Sequence, residues 1–241
     1  MNQHTYEKMM SMRLFGMAET YKDQCHQADI SEWGFEERLT LLIDAESDQR
    51  LSDKITRLTK NANLSDTQAH VEGIKYYSDR GLNREVFLNL ADNKYIFEPK
   101  NIVLVGATGS GKSYIACALG NNACQSALKV RYYRLPDLFT ELELARAQGT
   151  YKKILKQLEN CELLILDEWL LIPATSQSQQ DLLEILERRY RQHATIFCSQ
   201  FSIDGWHQRL GSGALADAIL DRALAKSKII PIQGDKSMRS R

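Results

Sequence analysis

The run Gly106-Ala107-Thr108-Gly109-Ser110-Gly111-Lys112-Ser113 has the residue types and spacing needed to wrap main chain around a polyphosphate. Glycines open backbone angles closed to other residues, so successive N–H groups can converge on phosphate oxygens. A helix starting where the loop ends adds its positive pole. Lys112 is expected to bridge the β and γ phosphates, and the Ser113 hydroxyl to ligate Mg²⁺. The implied ligands are ATP and Mg²⁺, with nucleotide contacts on Gly106, Ala107, Thr108, Gly109, Ser110, Gly111, Lys112, Ser113 and Tyr114.

Further along, Leu163 to Leu166 run into Asp167-Glu168, placing two carboxylates at the end of an apolar segment. Such an edge is where α/β sheets bind ligands. Asp167 is expected to hold Mg²⁺ through its water shell, and Glu168 to orient and polarise the water that attacks the γ phosphate. The second acid favours hydrolysis over transfer to a substrate hydroxyl. Thr195 to Ser199 form another apolar segment ending at Gln200, a candidate sensor of the γ phosphate or attacking water, with Ser199 the alternative. The plainer reading of Gln200 is an ordinary strand-ending amide.

These groups need elements to hold them. Residues 102–105, 130–133, 163–166, 195–198 and 229–232 are short apolar runs separated by helical stretches, which predicts an α/β fold with a parallel sheet buried between helices. Upstream, Met10, Leu14, Met17 and Tyr21 fall on one stripe of a helix over residues 3–28. Ser31 reads as the N-cap of a second helix with Glu32, Glu36 and Glu37 in its first turn. Polar residues 59–70 blur the end of this helical part. The boundary is drawn at residue 68, giving an N-terminal helical domain (1–68), whose apolar stripe wants a partner, and an ATPase domain (69–241).

The chain of 241 residues has a formal net charge of zero, unevenly distributed. Residues 1–98 carry −5 and residues 99–241 carry +5, most of the excess lying in 222–241. A basic end of this kind suits nucleic acid phosphates or simply solvation. Five cysteines without a CxxC pair suggest reduced, buried thiols and no zinc site. The five histidines show no metal spacing, and Trp33, Trp169 and Trp206 read as packing residues. Met1 to Met17 alternate charged and apolar residues, unlike a signal peptide or membrane span, so a cytoplasmic protein without a membrane partner is expected.

The loop GATGSGKS, LLILDEW, the segment ending CSQ, LADAILDR and the terminal GDKSMR together resemble the IstB-like transposition helper ATPases, grouped with DnaC-type helicase loaders among AAA+ ATPases. The resemblance covers nearly the whole chain and is strongest over residues 82–240. It implies a three-layer α/β/α AAA+ fold around a mainly parallel five-stranded sheet, without a C-terminal lid domain and preceded by a small helical domain. It also implies an ATPase that forms a homo-oligomer on duplex DNA, largely independent of sequence, and activates a transposase. Arg222 is similar to the family's arginine that reaches a neighbouring subunit's nucleotide, and Arg239 matches a position that could also face phosphate. Departures include Ser113 where Thr is more frequent, and Leu170 where relatives often have Gly. For DNA contact, Lys152, Lys153 and Lys156 or the C-terminal cluster are the candidates. Two other readings compete: a DnaC-like helicase loader, and a P-loop kinase acting on a small molecule.

Overall fold

The computed structural model describes residues 1–27, 30–234 and 237–238, with Ser31 described by its main chain alone. Two compact units divide it, Met1–Arg57 and Leu58–Arg241.

The first unit contains α1 (Gln3–Ser11), α2 (Phe15–His26) and most of α3 (Phe35–Ala62), whose final residues belong to the second unit. The continuous helix expected over 3–28 is broken: Arg13 takes a left-handed φ of 60°, which ends α1 and redirects the chain into α2. Ser31 is not the N-cap of α3. It lies in a 3-10 turn, Ile30–Glu32, and α3 opens behind Gly34, whose carbonyl accepts the Arg38 N–H. The buried Glu46 carboxylate of α3 accepts the N–H groups of Gly16 and Met17, supplying the first turn of α2 with a negative partner. Gly16 is required here, because a Cβ would stand 2.4 Å from the Ala45 carbonyl oxygen.

The second unit is built on a five-stranded parallel sheet: β1 (Ile102–Gly106), β2 (Val130–Arg134), β3 (Leu163–Asp167), β4 (Ala194–Ser199) and β5 (Lys228–Ile232), in the order β2-β3-β4-β1-β5. The inner strands β3 and β4 are buried at every residue, which is why they read as unbroken apolar runs. The edge strands differ. β2 alternates buried and half-buried positions before ending on the exposed Arg134, and β5 carries Pro231, tolerated where one side of the strand needs no ladder donor.

Helices α4 (Arg84–Ala91), α5 (Lys94–Phe97) and α6 (Lys112–Gln125) cover one face, sharing a core with Ile102, Leu104, Ile165 and Ile196. On the other face α7 (Leu135–Ala147), α8 (Tyr151–Glu159), α9 (Ser176–Arg189), α10 (Ile203–Arg209) and α11 (Gly213–Leu224) pack around Val103, Leu164, Leu166 and Phe197. The result is the expected three-layer arrangement. The units part between Arg57 and Leu58, earlier than residue 68, because Ala62 and Leu64 of the polar run pack into the sheet's core.

Candidate active site

The loop between β1 and α6 contains Gly109 at φ 80° and Gly111 at φ 91°, angles that L side chains rarely adopt. Gly111 also lacks room: a Cβ would stand 2.9 Å from the Arg80 guanidinium. Lys112 opens α6 and folds back, donating to the carbonyls of Gly106 at 2.7 Å and Ala107 at 2.9 Å. Burial lowers its pKa, partly countered by Cys198 and Asp167. Ser113 and Tyr114 follow in the first turn of α6, with the Tyr114 hydroxyl close to the His70 main chain.

Asp167 ends β3 and is 4% exposed. It accepts hydrogen bonds from the Tyr132 hydroxyl and the Glu168 N–H, each at 2.7 Å. Glu168 lies just past the strand at φ 54°, a left-handed conformation unusual for a residue with a side chain, and Leu170 repeats the angle two residues later. That explains why glycine suits the Leu170 position. Arg134, opposite Asp167 in the β2–β3 register, donates to both Glu168 oxygens at 3.1 and 2.9 Å.

Between β1 and β3 lies β4, and Gln200 stands just beyond its end. Its Oε1 accepts the Thr108 hydroxyl at 2.8 Å. Ser199 is fully buried, donates to the Trp169 carbonyl and accepts from Trp206 Nε1 and the Phe201 N–H, so it is committed to packing. Trp169 packs against Phe197 and Trp206, ring centres 4.6 and 5.5 Å away. Thr108, Lys112, Ser113, Asp167, Glu168 and Gln200 thus line one cavity of about 140 Å³. A neighbouring pocket of about 470 Å³ shares Gly109, Lys112 and Ser113 and is closed by Gly73, Arg80 and Tyr114.

Other candidates lie elsewhere. Arg222 sits in the last turn of α11, whose final carbonyls accept from the Asn101 side chain just before β1, so the whole length of β1 separates it from the loop. Its guanidinium pairs with Glu187 and donates to the Ala218 carbonyl at 2.9 Å. Lys152, Lys153 and Lys156 are exposed on α8. Arg239, with Lys236 and Arg241 of the basic end, falls outside the described residues.

Sequence reading missed three residues at the site: Tyr132, Arg134 and Arg80. Arg80 is 3% exposed and donates to the Ser110 carbonyl at 2.6 Å and to the Lys75 carbonyl, fixing the loop from behind. For Tyr132 and Arg134 the available signal was their place at the end of a strand whose register runs beside Asp167.

The family model described as IstB-like ATP binding protein matches residues 7–241. The chain belongs to that family. A protein of Sinorhizobium fredii (strain NBRC 101917 / NGR234) named as an insertion sequence ATP-binding protein, y4pL, is 38% identical over 98% of this chain and 96% of its own length. The IS1162 ATP-binding protein of Pseudomonas fluorescens is 35% identical over 83% of this chain and 87% of its own. Among solved structures, the DnaC helicase loader superposes with a TM-score of 0.57 at 18% identity, covering 68% of this chain and 97% of that one. AMPPCP-bound DnaA from Aquifex aeolicus gives 0.58 at 18% identity, covering 72% of this chain and 53% of that one. The fold of this IstB-like chain is therefore that of the AAA+ P-loop proteins. No helix among the described residues is long and apolar enough to cross a membrane.

Proposed function

We propose that the chain is an ATPase that assembles on duplex target DNA and activates an insertion-sequence transposase. The observation that carries the catalytic part is the convergence of Lys112, Ser113, Asp167, Glu168 and Gln200 from three parallel strands on one cavity. Family membership and the relatives' names support the transposition context.

In this reading the amides of 106–113 and the Lys112 ammonium hold the triphosphate, exchanging the Gly106 and Ala107 carbonyls for phosphate oxygens. Tyr114 flanks the nucleotide from the larger pocket. Mg²⁺ fits the donor set: the hydroxyl of Ser113 and the carboxylate of Asp167 face the same space, and among the described residues no group of three or more His, Cys, Asp or Glu offers an all-protein cage. That suits an ion held by few protein oxygens together with phosphate and water, and it would neutralise phosphate charge. Glu168 takes the proton of a water as its oxygen bonds to the γ phosphorus, while the bond to the bridging oxygen breaks and ADP leaves. Gln200, held by Thr108, reports whether the γ phosphate is present. Arg222, remote from its own loop, serves the nucleotide of a neighbouring copy. The exposed lysines of α8 supply phosphate contacts that are insensitive to base sequence.

The test is co-sedimentation on duplex DNA with ATP, ADP or no nucleotide, followed by capture of the transposase from the same element. ATP-dependent assembly on DNA with transposase retained is expected. Assembly indifferent to DNA removes the proposal, and selective capture of a replicative helicase replaces it with helicase loading.

A further inference from the structure

At the edge of the sheet opposite the loop, the start of β4, Asn101 just ahead of β1 and the carboxyl ends of α9 and α11 enclose a cavity of about 250 Å³. Its wall carries Arg189, Arg191, Arg222 and Lys226, together with His193 and Tyr190. Against these four cations the described residues set one paired carboxylate, Glu187 on Arg222. Each helix carboxyl end contributes about half a negative elementary charge. The two ends and Glu187 together offset about two positive charges, so a surplus remains.

Arg189 is 2% exposed. It donates to the Thr195 hydroxyl at 3.1 Å, to the Cys161 carbonyl at 2.8 Å and to the carbonyls of Leu158 and Ala194, and no carboxylate among the described residues pairs with it. Burial lowers its pKa, yet a guanidinium keeps its proton, so a full charge is buried without a counter-ion beside an open cavity. Burial, then Arg189, lower the pKa of His193, against the opposing charges of Glu162 and Glu159; Lys129 adds to the lowering, and Glu159 is paired with Arg188.

Arg191 has φ 59° and Lys226 has φ 49°, each immediately after the C-cap of its helix. Glycine is the favoured residue at that position. Basic residues do complement a helix end, but the last turns of α9 and α11 already contain Arg188, Arg189 and Arg222. Complementing the ends therefore does not require strained backbone at two further cations that share one cavity wall.

We infer that this cavity is a second oxyanion site, taking a phosphate group presented from outside the chain, with Arg191 and Lys226 as contacts alongside Arg222. The chain's own loop lies at the other end of β1, so the phosphate comes either from the nucleotide of another copy or from a DNA backbone. The first source rests on the ATPase reading above; the second does not.

The double variant Arg191→Gly, Lys226→Gly tests this, because glycine relieves both left-handed positions and its thermal midpoint should equal or exceed that of the parent. Inorganic tripolyphosphate is titrated while main-chain amide shifts are followed. In the parent, amides of 190–195 and 222–226 should move as well as those of 106–113; in the variant only the second set should move. If the first set is still in the parent, or moves equally in the variant, the site is refuted. Failure of the ATPase reading would show separately, as immobile 106–113 amides and no ATP turnover. A tenfold or greater fall in turnover of the assembled variant, with DNA affinity unchanged, identifies the neighbour's nucleotide as source. Weaker DNA binding, with the slope of log affinity against log salt reduced by about 2, identifies the DNA backbone. A variant unchanged in both assays overturns the proposal.

Discussion

One nitrogen of Arg134 holds both carboxylate oxygens of Glu168, at 3.1 and 2.9 Å. The acid proposed to accept a proton from water is therefore already engaged, by a side chain that also reaches Asp137 at the start of α7. A carboxylate whose oxygens are taken up by a guanidinium has fewer lone pairs free to meet a water, so on the proposed reading turnover should respond to whatever draws Arg134 away. An exposed cation at a strand end is well placed to be drawn by a phosphodiester.

Replacing Arg134 with Ala should raise ATP turnover without DNA several-fold and narrow the difference made by adding duplex. Phosphate release measured with and without DNA decides it. Turnover that falls in both conditions would instead make Arg134 a positioning residue for Glu168.

Lys112→Ala and Glu168→Gln should separate binding from chemistry. The first removes the ammonium proposed to meet the phosphates and should abolish tight ATP binding in calorimetric titration. The second keeps shape and removes the proposed proton acceptor, so affinity should stay within a few-fold while single-turnover hydrolysis falls by about 10²–10⁴. Comparable hydrolysis in Glu168→Gln and parent would displace Glu168 from its role.

In the helical unit, burial pushes the Glu46 carboxyl up, but the Arg50 hydrogen bond and charge and the N–H groups of Met17 and Gly16 more than offset it, leaving the pKa lowered. A depressed folded pKa contributes stability that is fully present above the unfolded value of 4.5 and lost as pH falls through the folded one. The protection factors of α2 amides, taken against the intrinsic exchange rate at each pH, should fall as the pH drops below about 4.5, and Glu46→Gln should show lower protection at neutral pH with less of this acid dependence.

Four of the five cysteines, Cys117, Cys124, Cys161 and Cys198, are buried, and burial raises the pKa of each thiol. Cys25 is half-buried. A thiol-exchange reagent applied to the native protein at neutral pH should modify Cys25 first and well apart from the rest, with all five reacting after denaturation. Fast modification of Cys198 in the folded chain would contradict its packing beneath the site.

The two acids and the loop were legible because each element announces itself locally. An apolar run meets a glycine loop at 102–113, and another meets two acids at 163–168. The partners of those acids were not, since Tyr132 and Arg134 acquire their places only through the parallel register of β2 on β3. Arg80 escaped for a similar reason: it lies 30 positions before the Ser110 carbonyl it holds, with an entire strand between them. The Arg13 turn left no mark, because the apolar stripe continues in phase on both sides of it while arginine carries no turn preference.

The order β2-β3-β4-β1-β5 places β4 between the strand that feeds the loop and the strand that ends in the acids. The two halves of the site are thus never in direct ladder contact, and their spacing is set by the width of one intervening strand. Successive residues of a strand point to opposite faces. Inserting a single residue within β4 would then turn Gln200 away and leave Lys112 and Glu168 each intact, and on the proposed reading it would remove the one group between them that tells when the nucleotide is loaded.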